Sequence, residues 1–138
     1  MDLIKPFDSN VQLLGKVLDL RAKKSQVISA NIANAETPGF SPSRFNFEED
    51  LSAALNNTKG VQLVTSHQAH IPLGPSNFNS ISGKVIVEED QSKIGDGNGV
   101  SVDQEMIDLS ENALLYETAA QLLKKKMSLI KHVISGGQ

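Results

Sequence analysis

The chain has 138 residues, the usual size of one domain, and this length leaves no room for a second, independent catalytic domain. Aromatic residues make up only 4% of it, so we expect a core of helices packed through Leu, Ile, Val and Ala. The net charge is -3 and the basic residues are spread along the chain, which argues against a nucleic-acid-binding surface.

The chain contains no Cys, and this excludes disulfide bonds, thiolate nucleophiles and metal sites built on Cys. The segment from Met1 to Phe7 carries one Lys and no apolar run of signal-peptide length. No stretch reaches the roughly twenty apolar residues that a membrane-spanning helix needs. The sequence alone therefore predicts a soluble protein without a cleaved export signal.

The N-terminal segment has the apolar spacing of a helix. Apolar residues recur at intervals of four and three, and the pattern is interrupted at Arg21 and Ser25. The recurring residues are Phe7, Val11, Leu14, Leu18, Ile28, Ile32 and Ala35. We predict that this helix ends near Asn34, which tolerates a left-handed cap, and that Pro38-Gly39 forms the centre of a type II turn.

The middle segment, residues 41–99, is rich in Ser, Asn, Gly and Pro. We predict a short helix near residues 47–55 and a few strands, because residues 61–65 and 84–88 are alternating or β-branched runs. A small local core is also expected here, formed by the phenylalanines in or beside this segment. These are Phe40, Phe45, Phe47 and Phe78.

The C-terminal segment has the most regular pattern, with apolar residues at unbroken intervals of four and three. They are Val102, Met106, Leu109, Ala113, Tyr116, Ala120, Leu123, Met127, Ile130 and Ile134. Ser101 and Asp103 are both suited to cap the start of this helix, and Gln104 is placed to complete a capping box with Ser101. The sequence Ser135-Gly136-Gly137 predicts its end.

These patterns predict a mainly α fold with a small β-containing middle segment, in which the two terminal helices pair as a coiled-coil-like α-hairpin. Residues 1–40, 41–99 and 100–138 are expected to be its three parts within one structural unit. We call the residues predicted to join the helices the helix pairing seam. It consists of Val11, Leu14, Leu18, Ile28, Ile32, Met106, Leu109, Ala113, Tyr116, Ala120, Leu123, Met127, Ile130 and Ile134.

Each terminal helix carries a second set of apolar positions, interrupted at Lys24, Asn31 and Lys126. We call this set the intersubunit seam. It consists of Leu13, Val17, Leu20, Val27, Leu115, Ala119, Leu122, Leu129 and Val133. A soluble monomer rarely exposes so long an apolar strip, so we expect these residues to contact other subunits. The alternative is a small α+β domain in which the middle segment folds back and covers them.

No set of residues points to catalysis or to cofactor binding. His67 and His70 have a spacing that suits a metal, but neither Cys nor a nearby acidic residue accompanies them. The acidic runs 48–50 and 88–90 are typical of surface charge. Residues 95–99 lack the spacing of a phosphate-binding loop or an EF-hand. We therefore expect no catalytic residue, metal ligand, cofactor or small-molecule substrate.

Residues 29–40, with the sequence SANIANAETPGF, resemble the N-terminal signature of the axial proteins of the bacterial flagellum, which form the rod and hook. The matching motif residues are Asn31, Ile32, Ala33, Asn34, Thr37, Pro38, Gly39 and Phe40. Tyr is also common at the position of Phe40. Residues 97–106 and 111–116 are similar to a small proximal rod protein of this family, and the short length agrees. The resemblance is weaker over residues 41–95.

The resemblance implies a structural subunit of the proximal rod of the basal body, which assembles through its terminal helices into a helical tube. It implies as partners other copies of the chain, other flagellar rod subunits, the adaptor between the rod and the inner-membrane ring, and the flagellar export apparatus. The implied location is the periplasmic rod, reached by type III export without a cleaved signal peptide. In such proteins the terminal helices tend to be disordered before assembly.

The sequence leaves two questions open. The polar residues Arg21, Lys24 and Ser25 either fix the register between neighbouring helices or form a solvated patch. The chain is alternatively a stand-alone helical adaptor, an export-chaperone-like binding module or a small enzyme.

Overall fold

Two long helices form most of the fold. The structure is a computed structural model that describes residues 9–59, 78–88 and 99–136, without the side chains of residues 57–59 and 79. Its elements are α1 (Ser9–Ala33), β1 (Ser43–Asn46), α2 (Glu48–Lys59), a 3-10 turn (Phe78–Ser80), β2 (Lys84–Val87) and α3 (Val102–Ile134). The predicted fold class is confirmed, since the chain is mainly helical with a small sheet and paired terminal helices. Among the described helices, none combines the length and apolar character needed to cross a membrane.

The helices α1 and α3 pack antiparallel. Asn31, near the end of α1, donates a hydrogen bond to Glu105 in the first turn of α3. Arg21 lies earlier in α1, and its carbonyl accepts a hydrogen bond from Asn112, which lies later in α3. The two contacts fix both the direction and the register of the pair.

The end of α1 lies where the sequence predicted it, one residue before Asn34. The predicted left-handed cap is wrong, because no described residue other than glycine has a positive φ. The side-chain amide of Asn34 instead donates to the carbonyl of Ala30 at 2.8 Å. The predicted type II turn is confirmed, since Gly39 has φ 73° and the N–H of Phe40 donates to the carbonyl of Thr37.

The ends of α3 also agree with the sequence, except in the capping contact. Ser101 is the N-cap residue and has an extended backbone, but its side chain makes no capping hydrogen bond. The predicted capping box is wrong, because the Gln104 side chain donates to Asp108 at 2.8 Å instead. At the other end Ser135 is the C-cap residue, and Gly136 has φ 76°, as expected for a residue that ends a helix.

The described part of the middle segment contains a two-stranded antiparallel sheet, in which Ser43 pairs with Val87 and Asn46 with Lys84. The structure confirms the predicted helix near residues 47–55, as α2, and the predicted strand near residues 84–88, as β2. The strand β1 was not predicted, because its sequence SRFN has one apolar residue and no alternation. The predicted strand at residues 61–65 lies outside the described residues.

A small core forms between this sheet, α1 and α2. Its buried residues are Leu20, Phe45, Phe47, Ala54, Phe78 and Ile81. Three of the four phenylalanines predicted to form it are therefore present, whereas Phe40 is only half-buried and lies outside it. The rings of Phe45 and Phe47 lie 5.6 Å apart at an interplanar angle of 33°.

Gly83, just before β2, closes this core on one side. Its φ is 65°, a conformation that other residues rarely adopt, and its Cα faces the two aromatic side chains. A Cβ at this position would lie 2.7 Å from Cε2 of Phe45 and 3.0 Å from Cβ of Phe47. The backbone here consequently needs glycine for both its conformation and its lack of a side chain.

We predict that Gly83→Ala lowers the free energy of unfolding by about 1–3 kcal/mol, because the added methyl group overlaps the Phe45 ring and the positive φ becomes strained. Urea unfolding followed by circular dichroism measures the change. Gly15→Ala is the matched control, since Gly15 lies inside α1 with open space around it, and that change should stabilise by about 0.5–1 kcal/mol. A Gly83→Ala chain as stable as wild type would contradict the prediction.

Candidate functional site

The face of α3 that meets α1 is centred on a heptad of mostly polar residues. Glu105, Asn112 and Ala119 are the buried residues of α3, and they are spaced by seven. The helix pairing seam contains none of them. Apolar periodicity did not identify this face because two of its three central residues are polar.

The residues of the helix pairing seam divide between the interface and the surface. In α1, Val11 and Ile28 are buried. Half-buried members are Leu14, Leu18, Ile32, Leu109, Ala120, Leu123 and Ile130. Exposed members are Met106, Ala113, Tyr116, Met127 and Ile134. The α3 part of this seam thus lies along one edge of the contact with α1 instead of at its centre.

Most of the α1 part of the intersubunit seam packs in or against the small core of its own chain. Leu20 is buried in the small core, and Leu13 and Val27 pack against that core. Val17 is half-buried. The expectation that Leu20 contacts another subunit is corrected here, because the middle segment folds over α1 as in the alternative arrangement.

The α3 part of the same seam is mostly exposed. Ala119 faces α1 and is buried, so it too lies within the chain and not at a free surface. The other four members are 39–63% exposed, and they are Leu115, Leu122, Leu129 and Val133. We call Leu115, Leu122 and Leu129, which are spaced by seven, the leucine flank.

A second apolar surface lies on the other side of the face that meets α1. We call Met106, Ala113, Met127 and Ile134, all exposed, the methionine flank. At about 100° per residue, Ala113 and Leu115 fall on opposite sides of Asn112. The helix α3 therefore presents apolar side chains on both sides of its contact with α1, and the described part of the chain covers neither.

Asn31 holds α1, α3 and β1 together. Its side-chain amide donates to Glu105 at 3.1 Å and to the carbonyl of Ser43 at 2.8 Å. Its side-chain oxygen accepts from the N–H of Ser43 at 2.9 Å. Asn31 and Glu105 are 1% and 2% exposed. Both amide protons and the oxygen are thus satisfied, and Asn31 pairs with the first residue of β1 as a neighbouring strand would.

Arg44 of β1 supplies the positive charge near Glu105. Its guanidinium group lies 2.9 Å from both Glu88 and Asp108, and 3.8 Å from Glu105. Partial burial by itself lowers the pKa of Arg44, but the three carboxylates outweigh that effect and raise the pKa above its ordinary value. Arg44 therefore stays charged and joins the sheet to α3.

Arg21 forms the second polar contact between the helices. Its carbonyl accepts from Asn112 at 2.9 Å, and its guanidinium group lies 3.4 Å from Glu48 and 4.9 Å from the centre of the Phe47 ring. Lys24 contacts the same carboxylate at 2.7 Å. Arg21 and Lys24 are thus not a solvated patch, since they bind α2 and α3 of their own chain, and the contact of Arg21 with Asn112 fixes the register between the helices α1 and α3.

A cleft of about 280 Å³ opens beside these contacts, and Arg44, Glu105 and Asp108 are among the residues that line it. Arg44 already pairs with both carboxylates, Glu105 and Asp108. Within residues 9–59, 78–88 and 99–136, no group of three or more His, Asp or Glu residues is placed to hold a metal ion. His67 and His70 lie outside these ranges. The geometry favours a structural role, in which polar contacts fix α1 against α3 and both flanks of α3 stay exposed.

Comparison with known proteins gives one consistent relationship. A family model described as "Flagella basal body rod protein" matches residues 18–40, which include the Asn31 motif. A flagellar basal body rod protein FlgB from Aeromonas hydrophila is 32% identical over 132 residues, covering 96% of this chain and 97% of that protein. FlgB from Salmonella typhimurium is 27% identical over 98% of this chain and 99% of its own length. FlgB from Bacillus subtilis is 26% identical over 96% and 98%.

We predict that Asn31→Asp lowers the free energy of unfolding by about 2 kcal/mol or more near neutral pH. The change replaces the donor that faces Glu105 and the Ser43 carbonyl with a second buried carboxylate. Burial and the nearby Glu105 carboxylate raise the pKa of the introduced carboxyl group in the folded state. Protonation therefore restores stability relative to wild type as the pH falls from about 7 to about 5.

Urea unfolding at several pH values measures this effect, with Asn34→Asp as the control. Asn34 bonds the backbone at the exposed end of α1, so its substitution should cost much less and show little of this pH dependence. Equal losses of unfolding free energy in the two variants would contradict the prediction that the buried contacts of Asn31 stabilise the fold.

The carboxyl group of Glu48 joins α2 to α1 through Arg21 and Lys24. Burial by itself raises the pKa of Glu48, but hydrogen bonds from Lys24 and from the N–H groups of Phe47 and Glu48 outweigh it and lower the pKa. A carboxyl whose pKa is lower in the folded state stabilises the protein above its unfolded pKa. That contribution is lost as the pH falls through the folded value.

We therefore expect Glu48→Gln to be less stable than wild type near neutral pH and to lose less further stability on acidification from about pH 5 to about pH 3. Thermal unfolding across this pH range gives the comparison. Glu49→Gln is the control, because Glu49 is exposed and makes no ion pair within the described part of the chain. An unchanged acid profile in Glu48→Gln would show that its contacts are not formed in solution.

Proposed function

This chain belongs to the FlgB family of flagellar basal body rod proteins, and from that membership we propose that it forms part of the proximal rod, assembling through its terminal helices into a helical tube. The membership itself makes the chain a structural component of the flagellar basal body, which serves motility, and not an enzyme.

The exposed leucine flank is the observation that carries the proposal. Leu115, Leu122 and Leu129 form an exposed apolar row along α3, beside the face that packs against α1 and continuing past the start of α1. Full burial of a leucine side chain is worth roughly 1.5–3 kcal/mol, so covering this row supplies a substantial part of an interface. The methionine flank gives a second surface on the opposite side. Two different surfaces on one helix allow contact with two neighbours, as a helical tube requires.

The polar contacts around Asn31 and Arg21 support the same proposal. They fix the register of α1 against α3, so both flanks keep a constant position relative to the rest of the subunit. We propose residues 1–40 and 100–138 as the axial core and residues 41–99 as a smaller part attached to it. The contacts of α1 with β1 and with the 3-10 turn agree with a single structural unit.

The proposed partners are other copies of the chain, other rod subunits, the adaptor between the rod and the inner-membrane ring, and the export apparatus. A basal body location follows from the family. We further propose a periplasmic position in the rod, reached by type III export without a cleaved signal peptide. The exposed flanks support the rod contacts, and the family supports the export route.

We predict that the double substitution Leu122→Glu and Leu129→Glu abolishes rod assembly without unfolding the chain, because both residues are more than half exposed. Placing charges in the interface should weaken subunit association by at least about a hundredfold. The test expresses each variant in a strain that lacks the gene. Swimming motility and electron micrographs of isolated basal bodies then report assembly, and circular dichroism of the purified chain reports folding.

Gln121→Glu is the matched control, because Gln121 is exposed next to Leu122 but lies outside the leucine flank. It adds a negative charge to the same turn and should leave motility intact. Normal rods in the double variant would refute the proposal. A stable one-to-one complex with a single helical partner, with no polymer, would favour the adaptor.

A further inference from the structure

The charges of α3 are divided between its two halves. Residues 102–123 include five acidic residues and no basic residue, and the acidic ones are Asp103, Glu105, Asp108, Glu111 and Glu117. Residues 124–134 include no acidic residue, and their basic ones are Lys124, Lys125, Lys126 and Lys131, with His132 beside them. One long helix therefore has a negative half and a positive end.

Several of these charged side chains form no ion pair among the residues that the structure describes. Glu105 and Asp108 pair with Arg44, but Asp103, Glu111 and Glu117 are exposed and form no ion pair among the described residues. We call these three the acidic patch. Lys124, Lys125 and Lys131 are likewise exposed and in no described ion pair, and we call them the basic patch. The nearest members of the two patches, Glu117 and Lys124, lie roughly 10 Å apart at about 1.5 Å per residue, and they form no ion pair with each other in the described part of the chain.

The basic patch begins opposite the described start of α1 and continues along the part of α3 beyond it. Because Arg21 contacts Asn112 and the helices are antiparallel, Ser9 at the start of α1 lies roughly opposite Lys124. The last ten residues of α3 therefore continue past the described start of α1. Leu129, Val133 and Ile134 lie on this extension and are 56–76% exposed.

The acidic patch also has apolar neighbours. Met106, Ile107 and Leu114 lie among its residues in sequence and are 50–65% exposed. Each half of α3 thus combines exposed apolar side chains with charges of one sign, and the two signs are opposite. Each of these surfaces attracts a surface of opposite charge and repels one of the same charge.

We propose that the basic end of α3 docks on the acidic half of α3 in a second copy of this chain. The inference rests on the proposed rod function, and it names the partner surface for part of the assembly. We propose the staggered form of this contact, in which the two α3 helices run in the same direction, so that it is head-to-tail and each added copy leaves one free surface at either end of the row. In this staggered contact, turning one copy around would bring like charges together, so the contact also sets the direction in which subunits stack.

A charge-swap experiment with the purified full chain tests this contact. One variant carries Lys124→Glu, Lys125→Glu and Lys131→Glu, and the other carries Asp103→Lys, Glu111→Lys and Glu117→Lys. Sedimentation velocity over a concentration series should show self-association at least about tenfold weaker in each variant than in wild type. An equimolar mixture should recover to within about threefold of wild type, because each altered patch then meets its complement.

Two controls separate charge from folding. The triple change of the same lysines to arginine keeps the charge and should associate like wild type, and circular dichroism should show similar helix content in every variant. Wild-type association should also weaken as salt rises, since ions screen exposed charges. Three results would overturn the proposal: wild-type association in both variants, a mixture no better than its components, or a wild-type chain that stays monomeric at about 1 mM.

The result is distinguishable from a failure of the rod function. If the chain restores motility to a strain that lacks it but the swapped variants associate normally, this contact is wrong and the rod function stands. If the wild-type chain is dispensable for rods and motility, the rod function is wrong whatever the charges do.

Discussion

The buried contact between Asn31 and Glu105 is the constraint on which the rest of this subunit depends. A carboxylate that is 2% exposed is stable only with partners, and its partners come from two different elements, Asn31 of α1 and Arg44 of β1. Only one register of α1 against α3 brings all three groups together. Apolar heptads alone tolerate shifts along the helix, whereas a buried polar group at the interface penalises them. The exposed flanks of α3 consequently have fixed positions on the subunit.

This contact also explains what the signature motif at residues 29–40 does in the fold. Its second half builds a corner, in which Asn34 binds the last turn of α1, Thr37 donates to Asn34, and Gly39 allows the turn. After the corner, the side chain of Asn31 hydrogen-bonds both the carbonyl and the N–H of Ser43. The motif therefore positions β1 beside α1. Its residues build the fold, and most of the exposed large apolar side chains lie on α3, with a smaller group on β2.

Local features of the sequence were enough to predict the long helices, the turn at Gly39 and the strand β2, because spacing and turn residues act over a few positions. The centre of the interface was missed for a physical reason. Asn31 and Glu105 are 74 positions apart, and Arg21 and Asn112 are 91 apart, so no local pattern links them. Asn31 was also taken as an interruption, since it breaks apolar spacing. Similarly, Leu20 was assigned to neighbouring subunits because periodicity cannot identify which surface covers an apolar residue.

The register of α1 and α3 has a mechanical consequence. A slide of one helical turn, about 5.4 Å, would carry Glu105 away from Asn31 and leave a buried charge without its partner. The pair therefore resists shear along its axis more strongly than an apolar pair of similar area, in which one leucine replaces another at each step. In the proposed rod, we therefore expect each subunit to move as one rigid body and any slip to occur at the surfaces between subunits.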